Sequence, residues 1–243
     1  MQIDVSSLQN SLGISVEYFD EIDSTNLYCK ERIKSGFSFE GVVIASSQSN
    51  GQGRHGKSFY SPKGSGLYLT FVLKNERFSH QNITPAIAVA TCRAIESCFD
   101  VSCGVKWVND IYIHDRKVGG ILCQTVAEHV LIGIGINLLQ PKYVPEDLRD
   151  RLGWVSEQSS SIGWEGLICS LYESILQFVA KSDREFLDEY RSRCVHIGSV
   201  VEIETNHSCV SGKCIGIDEE FKLLVDVRGE VHSFSSGFMI LKI

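Results

Sequence analysis

The stretch GQGRHGK at residues 51–57 is the most informative segment of the sequence. It joins two strand-like runs, VVIA at residues 42–45 and LYLTFVL at residues 67–73. Glycine permits positive φ and close approach of the backbone to a ligand, and basic side chains beside bare backbone N–H groups form concave anion sites. The pattern predicts a loop between two strands that binds phosphate or carboxylate. A solvated surface loop is the alternative that spacing alone leaves open.

The length and composition are those of a globular chain. Its 243 residues suffice for one large domain, alone or with a small appendage. The formal net charge of −7 argues against a dedicated nucleic-acid binder, because such proteins carry a basic surface. The basic loop at residues 51–57 is therefore a local exception in an acidic chain.

Nine cysteines are scattered without a C-x-x-C pair, so we interpret them as reduced residues of a cytoplasmic protein. A zinc site is the alternative interpretation, but its spacing fits no standard zinc pattern; its members would be His207, Cys209, Cys214 and His232. The N-terminus shows no signal peptide. The apolar runs are shorter than the ~20 residues of a membrane helix, so we expect no membrane association.

Hydrophobic periodicity and turn residues predict the order of the elements. Residues 1–19 read as a lead-in. Helices are expected at residues 27–34, 84–98, 168–178 and 183–193, and a hairpin at residues 105–122. Strand 130–137 has two glycines on one face, which either make room for a ligand or pack against another backbone. Short strands after residue 193 predict a small antiparallel barrel, and we expect domains at 1–193 and 194–243.

Five motifs in one order resemble those of the biotin–protein ligases. They are DSTN at 23–26, GQGRHGK at 51–57, KWVND at 106–110, KVGGIL at 117–122 and GIGIN at 133–137. The resemblance implies an α+β fold in which a mixed β-sheet with flanking helices, like that of class II synthetases, precedes a small C-terminal SH3-like β-barrel.

The resemblance also implies an activity in two half-reactions. Biotin and ATP, with Mg²⁺, would give biotinyl-5′-AMP and pyrophosphate. The biotinyl group would then pass to one lysine of a biotin carboxyl carrier protein domain of a carboxylase. A homodimer is possible. Only 23 residues precede Ser24, so we expect no helix-turn-helix domain and no DNA binding.

The matched motifs imply roles for individual residues. The residues expected to act in catalysis are Lys117, Arg54 and Lys106. Those expected to bind biotin are Ser24, Thr25, Gln48, Gly51, Gln52, Arg54, Lys117, Gly120, Ile121, Gly133 and Gly135. Those expected to bind ATP or the adenylate are Arg54, His55, Lys57, Phe59, Lys106, Asn109, Asp110 and Asn137. The sequence does not identify metal ligands.

The chain departs from the family pattern at two positions. Gln52 stands where many members have arginine, which removes a charge but keeps a hydrogen-bond donor. Val108 replaces the usual proline. Two other functions remain open: a lipoate–protein ligase or octanoyltransferase of the same fold, and a non-catalytic binding module. An octanoyltransferase would need a nucleophilic cysteine, and the sequence identifies none.

Overall fold

The structure is a computed structural model that describes residues 3–79, 82–157, 163–205 and 209–241. The helices are α1 (Val5–Leu12), α2 (Thr25–Lys34), α3 (Ile83–Cys98), α4 (Trp164–Val179) and α5 (Arg184–Arg193). The strands of the larger sheet are β1 (Ser15–Phe19), β2 (Gly41–Ala45), β3 (Gly66–Lys74), β4 (Gly104–Lys106), β5 (Asp110–Ile113), β6 (Arg116–Val126) and β7 (His129–Asn137). Those of the smaller sheet are β8 (Val200–Glu204), β9 (Cys209–Ile217), β10 (Leu223–Val227), β11 (Glu230–Phe234) and β12 (Phe238–Leu241).

The larger sheet is mixed, with the order β1-β2-β3-β7-β6-β5-β4. β1 and β2 are parallel, and the other neighbouring strands of this sheet are antiparallel. Helix α2 packs on one face, and α3 with α4 covers the other. Alternation in β3 shows why both faces are apolar: Val72 joins the core under α2, while Phe71 and Leu73 join the main core. The expected α+β architecture is therefore confirmed.

The smaller sheet is antiparallel, with the order β11-β10-β9-β8-β12. Its strands match the predicted short strands and are compatible with an SH3-like module. Phe221 joins this sheet to the larger unit: its ring stacks on Phe186 with centroids 5.2 Å apart and meets Tyr190 edge-on at 5.4 Å. The division of the chain at residue 193 stays a prediction.

Two local predictions were wrong. The lead-in forms α1 and β1, which bury Leu8, Leu12 and Val16; three buried positions within two short elements are too few to show a clear period. The first arm of the predicted hairpin divides into β4 and β5. Trp107 turns into the core between them, where its Nε1 donates to the Phe221 carbonyl at 2.9 Å.

Among the described residues, no helix combines the length and the apolar character needed to cross a membrane. His207, one member of the alternative zinc site, lies outside the described residues. Within the described ranges, no three histidine, cysteine or acidic side chains cluster as metal ligands.

Candidate active site

A cavity of about 480 Å³ lies where the loop at residues 51–58 meets α2, β6 and β7. Its size is typical of a small-molecule site. Most of the predicted site residues line it, and only Gly51 and Asn137 do not. The predicted residues that line it are Ser24, Thr25, Gln48, Gln52, Arg54, His55, Lys57, Phe59, Lys106, Asn109, Asp110, Lys117, Gly120, Ile121, Gly133 and Gly135. Five separate motifs thus contribute to one cavity.

One end of the cavity is a fixed array of hydrogen-bonding groups. Ser24 caps α2, its Oγ accepting from the Leu27 N–H at 3.4 Å. The Gln48 Oε1 accepts from the Thr25 N–H at 2.9 Å, and its Nε2 donates to the Ser61 Oγ at 2.9 Å. Because their orientations are set before a ligand arrives, these groups suit a rigid polar ring such as a cyclic urea.

The remainder of the cavity is positively charged. Five cationic side chains line it, against the two carboxylates Asp110 and Asp147; the cations are Arg54, Lys57, Lys106, Lys117 and Arg151. Burial lowers the pKa of Arg54 and of Lys106, and the charge of Asp110 opposes both shifts. Cationic groups that have lost part of their hydration gain most from an anionic ligand, so the cavity is suited to carboxylate and phosphate.

Asn109 holds Arg54 in place. The Arg54 Nη1 donates to the Asn109 Oδ1 at 3.0 Å, while the Asn109 Nδ2 donates to the Ile121 carbonyl at 2.8 Å. The Ile121 N–H closes the clamp by donating to the Asn109 carbonyl at 3.0 Å. The side chain predicted to bind the nucleotide therefore also ties the glycine-rich loop to β6.

Lys117 forms an ion pair with Asp110. Its Nζ lies 2.7 Å from the Asp110 Oδ1, and both side chains are partly exposed at the cavity. The Lys117 N–H also donates to the Arg151 carbonyl at 2.8 Å. Sequence spacing could not show this pairing, because Asp110 and Lys117 meet only through the register of β5 and β6.

Side chains fill the space over the two glycines of β7. A Cβ at Gly133 would lie 2.1 Å from the Asn26 Oδ1, and one at Gly135 would lie 2.4 Å from the Phe59 Cε1. Both contacts are made by side chains, so packing against another backbone does not describe these positions either. These glycines admit the Asn26 amide and the Phe59 ring to the sheet, and a ligand would meet those side chains above the strand.

Gly51 and Asn137 support the site from outside the cavity. A Cβ at Gly51 would lie 2.5 Å from the Phe59 carbonyl oxygen, so the backbone segments at the two ends of the loop pack closely against each other there. The buried Asn137 Nδ2 donates to the Gly153 carbonyl at 3.1 Å. In this structure the two residues shape the loop and brace the segment beside Lys117, and the ligand contacts expected of them stay predictions.

Several cavity residues escaped the sequence analysis as site members: Asn26, Trp107, Tyr112, Arg151 and Met239. Asn26 and Trp107 belong to the quoted motifs, which is the one signal that could have found them. Arg151 lies in an irregular segment whose path cannot be read from its composition. Met239 reaches the cavity from β12, so the smaller sheet supplies part of the wall.

Comparison with known proteins agrees with this geometry. Residues 18–137 match the Biotin/lipoate A/B protein ligase family. The chain is 28% identical to the bifunctional ligase/repressor BirA of Bacillus subtilis, over 93% of this chain and 74% of that protein. It is also 28% identical to the biotin–[acetyl-CoA-carboxylase] ligase of Mycobacterium tuberculosis, over 89% of this chain and 85% of that protein.

A solved structure confirms the expected fold. The biotin protein ligase from Aquifex aeolicus, in complex with biotin and ATP, superposes with a TM-score of 0.77 at 26% identity. The match covers 93% of this chain and 98% of that structure. Residues 18–137 therefore form a Biotin/lipoate A/B protein ligase domain, and the chain is homologous to the biotin protein ligases.

Proposed function

We propose that this protein is a biotin–protein ligase. It activates biotin with ATP to form biotinyl-5′-AMP, releases pyrophosphate, and transfers the biotinyl group to a lysine of a biotin carboxyl carrier protein domain. The observation that carries the proposal is one cavity with a preset polar end and a partly buried cluster of cations. The relatives that are named as biotin ligases support it.

The cations have distinct roles in the first half-reaction. A biotin carboxylate oxygen attacks the α-phosphorus of ATP, a new P–O bond forms, and the bond to pyrophosphate breaks with its electron pair on the leaving group. Lys117 and Arg54 bring the carboxylate and the α-phosphate together, and Lys106 holds the phosphates. Two anions repel each other, so fixed positive charge lowers the barrier by positioning and by electrostatics.

The preset polar end receives the ureido ring of biotin. Ser24, Thr25 and Gln48 offer donors and acceptors there, and Asn26 joins them at the surface of β7. The adenosine part lies toward Phe59, His55 and Lys57. Arg151, at the same wall as Lys117, adds a positive charge for the phosphates.

Carboxylate oxygens at the cavity fit the Mg²⁺ that ATP brings. Asp110 and Asp147 supply them, and magnesium in nucleotide sites takes one or two carboxylates together with phosphate oxygens. The ion would neutralise charge on the triphosphate. We further propose a cytoplasmic enzyme, consistent with nine cysteines that form no C-x-x-C pair, and a possible homodimer.

A lipoate–protein ligase is the second candidate, because the matching family includes both kinds of enzyme. An octanoyltransferase would need a nucleophilic cysteine, and Cys123 on β6 is poorly suited to that role because burial raises the pKa of its thiol to about 12. A neutral thiol is a poor nucleophile.

The test is ATP–pyrophosphate exchange with the purified chain. We expect exchange that depends on biotin and Mg²⁺ and that lipoate does not support. Exchange with lipoate alone would assign the second candidate. Binding of nucleic acid or protein without exchange of any kind would assign the non-catalytic module.

A further inference from the structure

Thr70 is a fully buried threonine in the middle of β3, on the face that α2 covers. Its neighbours on that face, Val43 and Val72, belong to the apolar core under α2. Valine would fill the same volume as threonine, and burying a hydroxyl costs free energy unless it is hydrogen-bonded. Thr70 does not line the cavity, and none of the predicted roles uses it. A hydroxyl at this position therefore indicates a polar task.

The register of β3 and β7 places Thr70 directly opposite Gly133. Residues opposite each other on antiparallel strands share one face of the sheet. Because Gly133 has no side chain, the Asn26 amide lies over it and comes within reach of Thr70. The Thr70 Oγ1 lies 2.5 Å from the Asn26 Oδ1 and 2.8 Å from the Thr25 Oγ1. One buried hydroxyl thus contacts two side chains that line the cavity.

The number of available protons fixes the direction of these hydrogen bonds. The Asn26 Nδ2 donates to the Leu122 carbonyl at 3.3 Å, so the Asn26 Oδ1 faces Thr70 and can only accept. Thr70 has one hydroxyl proton, and that oxygen takes it. The contact between the two threonines then uses the Thr25 proton, although the Gln48 Oε1 lies 3.2 Å away as a second acceptor. The Thr25 hydroxyl is left with lone pairs alone for a ligand.

This arrangement presents a preset pair of hydrogen-bonding groups to a ligand in the cavity. Thr25 offers an acceptor, and the Asn26 Nδ2 keeps a second N–H as a donor. A ureido ring carries N–H groups beside a carbonyl, so it can satisfy both side chains. The dithiolane ring of lipoate has neither group and would leave both side chains unpaired, at a cost in affinity.

We propose that Thr70 is a positioning residue for recognition of the ureido ring. This inference rests on the proposed function. Through Thr25 and Asn26, Thr70 sets which atoms donate and which accept before biotin binds, without contacting biotin itself. Groups that are ordered in advance lose less entropy on binding, so this order raises affinity. The ureido ring lies away from the reacting carboxylate, so loss of the order should weaken binding and leave the chemical step unchanged.

The test compares three variants of buried threonines. Thr70→Val keeps the shape and removes the hydroxyl, whereas Thr70→Ser keeps the hydroxyl and removes a methyl group. Thr91→Val is the matched control, because Thr91 is buried in α3 and its Oγ1 has no hydrogen-bond partner among the described residues. Each protein is assayed for biotin-dependent pyrophosphate exchange, with KM for biotin, KM for ATP and kcat measured separately. A thermal melt checks folding.

We expect Thr70→Val to raise KM for biotin by roughly five- to tenfold, the net effect of one hydrogen bond, with KM for ATP and kcat unchanged. Thr70→Ser should leave KM for biotin unchanged, since serine has the same donor and acceptor. Both variants should lower the melting temperature by roughly 2–4 °C, because one leaves the Asn26 Oδ1 without a donor and the other leaves a methyl-sized gap. Thr91→Val should match the unaltered chain in KM and kcat.

An unchanged KM for biotin in Thr70→Val would overturn the assignment. Equal increases in Thr70→Val and Thr70→Ser would also overturn it, because they would follow the loss of stability that the two variants share. A fall in kcat with KM for biotin unchanged would place Thr70 in support of the chemical step instead. Failure of the proposed function has a different signature: the unaltered chain itself would show no biotin-dependent exchange.

Discussion

Replacement of Lys117 by alanine gives the sharpest test of a single residue. A charge-assisted hydrogen bond contributes about 1.5–3 kcal/mol, so Lys117→Ala should weaken biotin binding by roughly ten- to 150-fold. The cost in stability should be smaller. The ion pair with Asp110 is partly exposed, and such pairs contribute about 1 kcal/mol or less. Asp110 also keeps the favourable charges of Arg54 and Lys106 nearby. For a chain of this size the melting temperature should fall by roughly 2–4 °C at most.

The assay is biotin titration by calorimetry beside a thermal melt. Arg116→Ala is the matched control, because Arg116 adjoins Lys117 on β6 but does not line the cavity. Lys117→Arg should recover little affinity, since a planar guanidinium does not replace a compact ammonium. An unchanged biotin affinity would refute the reasoning, as would an affinity loss that only follows a collapsed melting temperature.

Four further predictions concern other parts of the molecule. Asn109→Ala should lower the rate of pyrophosphate exchange by about tenfold with little change in melting temperature, because Arg54 loses its clamp; an unchanged rate would contradict the clamp. Arg54→Gly should release biotinyl-5′-AMP, detected as biotin on bystander proteins, and labelling confined to the carrier would show that the loop does not retain the adenylate. Phe221→Ala should cost about 3–5 kcal/mol in urea unfolding, because its buried ring packs the smaller sheet against α5; a cost below 1 kcal/mol would contradict that packing. Arg77 holds the pKa of Glu40 below its usual value, at about 2. The ion pair of these two side chains therefore stabilises the folded state fully above about pH 4.5, and this contribution is lost as the pH falls toward 2. Arg77→Ala should flatten that part of the acid unfolding curve.

Much of the site could be predicted because its motifs sit on regular elements. The N-cap residue Ser24 fixes where α2 begins, and strand alternation places Gly133 and Gly135 on one face. The loop between β2 and β3 brings Arg54 to the cavity that these residues line. The short strands of the C-terminal region were also predictable, because turns separate them at regular intervals.

Contacts between distant segments could not be predicted. The Asn26 amide fills the space at Gly133, and Asn137 donates to a carbonyl in an irregular segment. Both contacts depend on side-chain packing that has no period in the sequence. The same limit applies to Arg151, whose carbonyl accepts from the Lys117 N–H although the two residues lie far apart in the sequence.

The most direct test of the central claim is intact-mass measurement of a biotin carboxyl carrier domain after incubation with this protein, biotin, ATP and Mg²⁺. The account predicts a mass gain of one biotinyl group, located on one lysine and absent when biotin or ATP is omitted. A carrier domain that stays unmodified while the protein remains folded, or one that gains a lipoyl group in a matched reaction with lipoate, would contradict it.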